Sequence, residues 1–442
     1  MSAPEGSVLT MARPVPAVYN EAPAINAPPE VLPCDPRRSD SLVRSVMPVG
    51  MMVLASTTAR ADAVLDWNAR AATIATQAQV GPLVGQRVMA VAQVAVLEAV
   101  NAIEGGGATT RLKLAPAPGA SVEAAVAEVN RVVLSALTPS QQPAIDAAYQ
   151  SAQAAIPAGR ARDDGIAVGK LAAAGVLGWV AGDGADAAPA WRPPTVPGAY
   201  VPTALPVGVQ WGQRKPWLLT SPDQFRPGPP PGLSSATWAR DFNESKAFGG
   251  ARSPRRTAEQ TAVAKFWEGT APTIYHAVIR SAAARPGRDA LRNARLLATA
   301  SQAIDDALIA VFDAKYHYNF WRPITAIRNG DQDDNEATER DAGWVPFIDT
   351  PMHPEYPCAH CILAGAVAAV LEAEVGKDPM PTLSTTSPRA PGVTRSWRTL
   401  ADFVQEVSSA RIHDGVHYRN STEVGSDMGR RIGAWAAAQQ SK

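Results

Sequence analysis

The sequence has few cysteines and no net charge. Three of its 442 residues are cysteine, too few for a scaffold held together by disulfides. Lysine plus arginine and aspartate plus glutamate both number 41, so the formal net charge is zero. This balance lacks the positive surplus of proteins that bind nucleic acid or acidic membranes. With 46% hydrophobic and 19% charged residues, the composition is that of an ordinary globular protein.

Long apolar runs are also scarce after the first 63 residues. A membrane-spanning helix needs about 20 apolar residues. The best later run covers residues 361–371 and ends at Glu372. The sequence therefore predicts a soluble mature chain without a membrane span.

The N-terminus has the order of segments found in an export signal. Arg37 and Arg38 precede an apolar stretch at 46–55, and small residues follow it. Cleavage candidates end at Ala61 and at Ala63. The arginine pair is typical of the twin-arginine route. We therefore expect residues 1–63 to be an N-terminal extension plus a secretory signal, and the mature protein to be periplasmic or secreted.

The rest of the chain is dominated by Ala-, Val- and Leu-rich stretches with helical spacing, whereas alternating strand patterns are scarce. The sequence predicts an all-α fold of one or more helical bundles, formed as a single domain by residues 64–442. The predicted helices are 85–103, 120–137, 139–156, 162–181, 258–282, 287–314, 360–375, 398–412 and 423–439.

A long stretch rich in proline and glycine, about 183–232, interrupts the helices. A bare linker would be polar, but this stretch carries large aromatic residues. We expect it to be irregular and to pack on the helices through those side chains. Two shorter irregular stretches are predicted at 329–357 and 377–396. The aromatic residues are Trp191, Tyr200, Trp211 and Trp217.

Five of the six histidines lie between residues 317 and 417, together with three short basic motifs. Three fixed cations and two imidazoles suit the binding of a tetrahedral oxyanion and proton or nucleophile chemistry on it. The motifs are Lys315-x6-Arg322-Pro323, Pro357-Cys358-Ala359-His360 and Arg411-x5-His417.

Each motif has a predicted local structure. Lys315 is expected near the end of a helix, and Pro323 places Arg322 at a helix break. The residues that begin with Cys358 are expected at a helix N-terminus, where free N–H groups favour an anion. His413 and His417 are spaced to lie on one face of the last helical region.

Two other sites fit part of this pattern. Cys358 and Cys361 have the spacing of a thiol–disulfide exchange motif, but such motifs need a βαβ frame that this region lacks. The same cysteines with His413 and His417 have the composition of a zinc site, which leaves the three cations unexplained.

The three motifs resemble the signature of the vanadium-dependent haloperoxidases and the related type 2 phosphatidic acid phosphatases. The usual form is Lys-x6-Arg-Pro, Pro-Ser-Gly-His and Ser-Arg-x5-His. Further segments look like the soluble bacterial and plant branch of that group, and the resemblance covers most of 64–440. These segments are 63–68, 217–267, 321–328 and 353–357.

The resemblance implies an all-helical fold and a role for each motif residue. His417 would be the covalent partner, coordinating vanadium in a peroxidase or attacking phosphorus in a phosphatase. His360 would be the acid–base, and Lys315 would polarise bound peroxide. The vanadate or phosphate oxygens would be held by three cations and two backbone N–H groups, those of Lys315, Arg322, Arg411, Cys358 and Ala359.

This chain departs from the family pattern at several positions. Cys358 replaces the family's serine and Ala359 replaces its glycine. A thiol is a poor hydrogen-bond donor, so one oxyanion contact is expected to be weakened or lost. Ser421 stands where the family often has an aspartate that orients the imidazole. We therefore expect His417 to lack a carboxylate partner.

The resemblance implies a vanadium-dependent haloperoxidase-like enzyme. Its substrates would be hydrogen peroxide and a halide or small organic molecule, and its product hypohalous acid. One alternative is an acid phosphatase that hydrolyses phosphate monoesters through a phosphohistidine. A second alternative is an inactive oxyanion-binding or structural helical protein. No nucleic-acid partner is implied, and a homo-oligomer is an open possibility.

Overall fold

The structure, a computed structural model, describes residues 62–105, 110–269, 271–376 and 378–440. Apart from Asp62 and Ala63, the expected N-terminal extension and signal, 1–63, lie outside the described residues. The described parts of the chain contain thirteen α-helices, two 3-10 turns and one two-stranded hairpin. The all-α prediction is confirmed.

Five helices form the N-terminal part of the fold, and they lie around α2. The 24-residue α2 is long and apolar enough to cross a membrane, contrary to the expectation that no later run reaches that length. Its most apolar window is 89% buried inside the protein, as in a core helix. The helices are α1 (Ala63–Gln77), α2 (Gly81–Glu104), α3 (Val122–Leu137), α4 (Gln142–Ala154) and α5 (Arg160–Val180).

Eight helices and the hairpin form the rest of the fold. The helices are α6 (Ala236–Phe248), α7 (Ala258–Phe266), α8 (Ala271–Ala283), α9 (Ala290–Tyr318), α10 (Pro323–Arg328), α11 (Ala359–Val375), α12 (Leu400–His413) and α13 (Arg419–Gln440). The antiparallel hairpin consists of β1 (Leu383–Ser387) and β2 (Ala390–Trp397). The 3-10 turns are Pro139–Gln141 and Trp211–Gln213.

The helix predictions are correct in kind and differ in detail. The stretch predicted as one helix over 258–282 is two helices, α7 and α8. Three helices were not predicted: α1, α6 and the six-residue α10. The hairpin occupies most of 377–396, which was predicted to be irregular.

The 29-residue helix α9 is the central element of the fold. It packs against α2 of the N-terminal helices and against α11 and α13 of the C-terminal ones. Almost all of its residues are buried, which its many alanines permit. Its C-terminal end carries Lys315, so the core helix fixes the first motif.

Helices α11 and α13 approach each other closely through glycines. A Cβ on Gly425, Gly429 or Gly433 of α13 would overlap backbone oxygens at the N-terminal end or along the axis of α11. Gly365 of α11 makes the reciprocal approach to α13. Small residues at these positions set the distance between the helices and fix the N-terminus of α11.

The proline-rich stretch is irregular and packs on the helices, as predicted. Between α5 and α6 the one helical piece is the 3-10 turn Trp211–Gln213. Buried Arg214 anchors the stretch with ion pairs to Asp305 of α9, at 3.0 Å, and to Asp183, at 2.8 Å. The backbone N–H of Trp217 donates to Asp306 at 2.7 Å. These contacts satisfy buried polar groups that the stretch could not satisfy by itself.

Candidate functional site

The first motif lies where α9 ends and α10 begins. Asn319 adopts the left-handed conformation, with φ of 53°, and terminates α9 just after Lys315. Arg322 is the N-cap of α10, and Pro323 begins that helix. The predicted break before the proline is therefore present. The proline-rich stretch pairs with this connection, because Tyr200 N–H donates to Asn319 O at 2.8 Å.

Lys315 is completely buried and holds the segment that precedes the second motif. Its ammonium donates to the carbonyl oxygens of Pro354, at 3.0 Å, and Glu355, at 2.7 Å. One of its three N–H groups is left for another acceptor. Burial lowers the pKa of Lys315 well below its usual range, and the nearby Arg322 cation lowers it further.

Arg322 joins the first motif to the third. Its guanidinium donates to the carbonyl oxygens of His353, at 3.0 Å, and Val416, at 2.7 Å. It also lies 3.2 Å from Nε2 of His417 and 2.9 Å from Nδ1 of His353. An arginine can only donate, so Nε2 of His417 accepts. Nδ1 of His353 also lies 3.1 Å from the carbonyl oxygen of Pro354.

The contacts of His417 fix its tautomer. Because Nε2 accepts from Arg322, the ring proton is on Nδ1, which lies 2.7 Å from Oε1 of Glu355 and donates to it. Burial lowers the pKa of His417 well below its usual range, with Arg322 and Lys315 adding to the effect. The result is a neutral imidazole with its Nε2 lone pair facing the cations. That form of histidine can coordinate a metal or attack an electrophile.

Glu355 is the carboxylate partner that the sequence did not reveal. The expectation that His417 has no such partner is wrong. Glu355 is fully buried, and the Tyr418 N–H also donates to it, at 3.2 Å. Burial raises its pKa to about 7, against the opposing effect of Arg322 and Lys315. Ser421 is near this carboxylate and lowers its pKa, although its hydroxyl makes no hydrogen bond. The position where the family often has an aspartate is therefore close to Glu355.

Arg411 lies in the last turn of α12 and is paired with a second buried carboxylate. Its Nη1 is 2.7 Å from Oδ2 of Asp414 and 3.2 Å from the carbonyl oxygen of Trp267. Its Nε is buried without a hydrogen-bond partner. Burial raises the pKa of Asp414 to about 6, and Arg411 opposes this rise.

The second motif forms the start of α11. Cys358 is the N-cap, and Ala359 and His360 are the first two helical residues, as predicted. A disulfide joins Cys358 to Cys361. The Cys358 N–H donates to the carbonyl oxygen of Ser421 at 3.2 Å, so in this state it is not free for an oxyanion.

His360 lies in the first turn of α11, within reach of the cations. Its Nε2 is 3.2 Å from the carbonyl oxygen of Gly269. Burial, and to a lesser extent the charges of Arg411, Lys315 and Arg322, lower its pKa to about 3, against the opposing effect of the hydrogen bond to Gly269 O. His360 is therefore neutral and close enough to all three cations to experience their charge.

The remaining histidines have other positions. His413 and His417 are not on one helix face, because α12 ends at His413 and a turn precedes α13. No group of His, Cys, Asp or Glu suited to a metal cation exists among the described residues. His317 contacts Tyr318, and only His353 touches a motif cation.

Tyr200 of the proline-rich stretch is a further residue of this region. Its side chain is 2% exposed and its hydroxyl has no hydrogen-bond partner. Burial raises its pKa, and the positive charge of Arg322 opposes the rise. The sequence identified Tyr200 as a packing residue and gave no signal that its hydroxyl approaches the site.

The donors in this cluster fit an oxyanion. The unpartnered Nε of Arg411, the third N–H of Lys315 and the free N–H groups at the start of α11 all remain available. The neutral Nε2 of His417 has one lone pair among them, which accepts from Arg322 in this structure. Donors and cations of this kind bind a tetrahedral oxyanion such as vanadate or phosphate, and the imidazole nitrogen could then bond to its central atom.

Comparisons with known proteins agree with this geometry. Residues 295–442 match the family described as the VCPO second helical-bundle domain, and that stretch contains all three motifs. A vanadium chloroperoxidase from Curvularia inaequalis is 28% identical over 190 residues, which cover 36% of this chain and 30% of that protein. The matched region is thus about a third of the curated relative's length.

Solved structures extend the likeness to most of the chain. The first bacterial vanadium-dependent iodoperoxidase has a TM-score of 0.71 and 24% identity, covering 86% of this chain and 95% of that one. A holo bacterial vanadium-dependent chloroperoxidase has a TM-score of 0.67 and 18% identity, covering 82% and 93%. The resemblance to this group that the motifs indicate is confirmed, and the fold is the one that these structures share.

Proposed function

We propose that this chain, which has the fold of the vanadium-dependent haloperoxidases, is a haloperoxidase-like enzyme that binds vanadate. It would use hydrogen peroxide to oxidise a halide, or a small organic substrate, and release hypohalous acid in the halide reaction. Bound vanadate would supply a Lewis acid that activates the peroxide. The observation that carries the proposal is the neutral His417, whose Nε2 lone pair faces Arg322 while Glu355 holds Nδ1.

The cations would bind the oxyanion and position it against His417. Lys315 and Arg411 have unused donors, and Arg322 already touches the imidazole. Charge-assisted hydrogen bonds of this kind are short and about twice as strong as neutral ones. Lys315, fixed by two backbone carbonyls, would also polarise the bound peroxide.

His360 would move protons in this site. Burial and the cations keep it neutral, so it can accept a proton from an incoming acid such as peroxide. A bound oxyanion would cancel part of the cationic charge and raise the pKa of His360 toward its usual range. The residue would then be a better base with the oxyanion bound than without it.

Vanadate-dependent bromination is the test. Purified protein is assayed with peroxide and bromide, with and without orthovanadate, beside the His417→Ala variant. We expect bromination that needs vanadate and is lost in the variant. Bromination that persists without His417, or its absence at every vanadate concentration, would contradict the proposal.

An acid phosphatase is the second candidate, because the same lone pair of His417 could attack a phosphorus atom. His360 would then protonate the leaving oxygen. Hydrolysis of a phosphate monoester, inhibited by vanadate, would favour this candidate. Vanadate would stimulate the first activity and inhibit the second, so one titration separates them.

We also propose that the chain is exported and cleaved after Ala61. Asp62 caps α1 by accepting from the N–H groups of Val64 and Leu65, and Asn293 donates to its carboxylate. Cleavage after Ala63 would remove this cap. N-terminal sequencing of protein recovered from outside the cytoplasm should begin at Asp62, and a start at Val64 would contradict this choice.

A further inference from the structure

The disulfide between Cys358 and Cys361 lies inside the oxyanion site. Both cysteines are fully buried, and their ring encloses Ala359 and His360 at the start of α11. Cys358 is the helix N-cap, and its sulfur accepts from the Cys361 N–H at 3.2 Å. The covalent ring therefore includes the proposed acid–base residue and one of the free N–H donors.

The ring is tied to the other motifs from two sides. The Cys358 N–H donates to Ser421 O, four residues after His417. The Tyr275 hydroxyl donates to His360 O at 3.0 Å. The segment that leads into the ring is held by the Lys315 ammonium, which donates to the carbonyl oxygens of Pro354 and Glu355.

The charges of the site leave it formally positive. Three cations, those of Lys315, Arg322 and Arg411, face two buried carboxylates, those of Glu355 and Asp414. The basic groups outnumber the acidic ones, which favours binding of an oxyanion, and the disulfide contributes no charge. A thiolate at Cys358 would offset that excess of basic groups.

We propose that Cys358–Cys361 is a reversible redox site that controls oxyanion binding, with the disulfide form binding strongly and the dithiol form weakly. Reduction opens the ring that holds the first turn of α11. It also places a thiolate at a helix N-terminus beside three cations, an environment that favours the ionised form. That negative charge competes with the oxyanion for the same donors.

The reduction is a thiol–disulfide exchange with a small dithiol. One thiolate of the reductant attacks a sulfur of the pair, the Cys358–Cys361 bond breaks, and a mixed disulfide forms. The second thiol of the reductant then attacks its own bonded sulfur, leaving two protein thiols and one oxidised reductant. Because both cysteines are buried, a small reductant is needed.

Hydrogen peroxide, the oxidant of the proposed function, restores the disulfide. The Cys358 thiolate attacks one peroxide oxygen, the O–O bond breaks, and hydroxide leaves and takes a proton to become water. Cys361 then attacks the resulting sulfenic sulfur, the S–O bond breaks, and a second water leaves. Two thiols and one peroxide thus give one disulfide and two waters. This step rests on the proposed function, in which hydrogen peroxide is a substrate. The peroxide would keep the cysteine pair in the disulfide form, which binds the oxyanion strongly.

Phosphate titration of the two redox forms tests the inference. The protein used is the full chain with the substitution Cys34→Ser, so that Cys358 and Cys361 are its only cysteines. One sample is reduced with dithiothreitol, freed of it and kept without oxygen, and its thiols are counted by mass after maleimide labelling. Isothermal titration with inorganic phosphate should give at least tenfold weaker binding for the reduced sample, and peroxide should restore the original affinity.

Two variants separate charge from structure. Cys361→Ser leaves an unpaired Cys358 thiol and should bind phosphate weakly, with or without reductant. The double variant Cys358→Ser/Cys361→Ser has neither disulfide nor thiolate, and its affinity should not respond to reductant or peroxide. Thermal melts of each protein establish that it is folded.

The outcomes distinguish the two proposals. Equal phosphate affinity of the oxidised and reduced samples, or a pair that resists reduction until the protein unfolds, would overturn the redox site alone. Oxidised protein that binds neither phosphate nor vanadate would overturn the proposed function instead.

Discussion

At the scale of single residues, the pairing of His417 with Glu355 decides what the site can do. A carboxylate that accepts from Nδ1 fixes the tautomer and raises the basicity of the other nitrogen. Here that carboxylate comes from the segment before α11, which Lys315 holds through the carbonyl oxygens of Pro354 and Glu355. The first motif therefore positions the partner of the third.

We predict that Glu355→Gln weakens vanadate and phosphate binding by about 10- to 100-fold, the usual effect of losing a ligand's supporting carboxylate. The glutamine keeps an acceptor for Nδ1 and loses the charge. Isothermal titration with phosphate measures the change. An unchanged affinity would mean that Glu355 only fills space.

A second substitution controls for simple damage to the fold. Ser421 is near the Glu355 carboxylate and lowers its pKa. We expect Ser421→Asp to recover part of the lost affinity in the Glu355→Gln background, because it returns a carboxylate to this cluster. In the unmodified chain the same substitution should weaken binding or stability, since it adds a like charge beside buried Glu355.

The sequence revealed the cations and imidazoles of the site but not their supporting residues. Lys315, Arg322 and His417 belong to spaced motifs that a reader can recognise. Glu355 was visible only as part of a family-like segment, because nothing in its spacing relates it to His417, 62 residues later. The disulfide was not foreseen for a similar reason: the spacing of Cys358 and Cys361 is compatible with free thiols, a metal site or a bond.

At the scale of elements, the turn between α12 and α13 places His417. Gly415 has φ of 81°, and its Cα lies against the backbone of Gly249 at the end of α6. The N–H groups of Phe347 and Ile348 both donate to Asp414 O. The i,i+4 spacing of His413 and His417 predicted a helix here. That prediction was wrong because Gly415, which lies between them, reverses the chain direction.

We predict that Gly415→Ala destabilises the protein and lowers oxyanion affinity together. The new Cβ would overlap Gly249 O, and positive φ costs an alanine about 1–2 kcal/mol in addition. Gly392→Ala in the hairpin is the matched control, with φ of 78° and open space around the added carbon. In thermal and urea unfolding, this control should lose only the stability that an alanine at positive φ costs. Its phosphate affinity should be unchanged. Equal losses in both variants would contradict the clash.

At the scale of the whole molecule, several carboxyl groups are buried with raised pKa values. Burial raises the pKa of Asp306 to about 7, although three backbone N–H groups donate to it. Glu355 is raised to about 7 and Asp414 to about 6, in both cases mainly by burial. The folded protein thus holds protons at these sites that the unfolded chain would release.

We predict that buried Asp306, taken by itself, makes the protein less stable as the pH rises from about 4 to about 7. Buried His360 and His417, whose pKa values are lowered, act in the opposite direction in the acidic part of this range. A folded-state pKa above the unfolded value means that the native state binds more protons in this window, so raising the pH favours unfolding. Each raised group costs about 1.4 kcal/mol for every pH unit between its two pKa values. Urea unfolding at a series of pH values measures the slope.

Asp306→Asn should remove this contribution, so its stability should fall less, or rise more, with increasing pH than that of the parent chain, because asparagine cannot ionise. Asp186→Asn, at an exposed position, is the control and should leave the slope unchanged. A slope that is identical in Asp306→Asn and the parent chain would show that Asp306 does not hold a proton in the native state.

Most of the fold was predictable because helical periodicity is local. The long apolar stretches gave α2, α3, α5, α9 and α11 with small errors at their ends. Helices α1, α6 and α10 were missed, since short or polar helices carry a weaker pattern. In the hairpin, strand β2 is mostly exposed. It therefore lacks the alternation of apolar and polar residues that identifies a half-buried strand.

The path of the proline-rich stretch also depends on contacts that no local pattern reports. Two of its anchors, the ion pair of Arg214 with Asp305 and the pairing of Tyr200 with Asn319, join residues about a hundred positions apart. The sequence predicted that the stretch packs through its aromatics, and long-range polar contacts determine where.

The same stretch makes the chain divisible. Leu205 is 89% exposed, whereas Tyr200 before it and Trp211 after it are each 2% exposed. A protease that cuts near Leu205 would leave two fragments whose shared surface includes the contact of α2 with α9 and the ion pair between Asp183 and Arg214. The halves should stay together after nicking, elute as one species and separate only in denaturant. Expressed as two polypeptides, they should reassemble by complementation, with all three basic motifs in the second fragment and Tyr200 in the first.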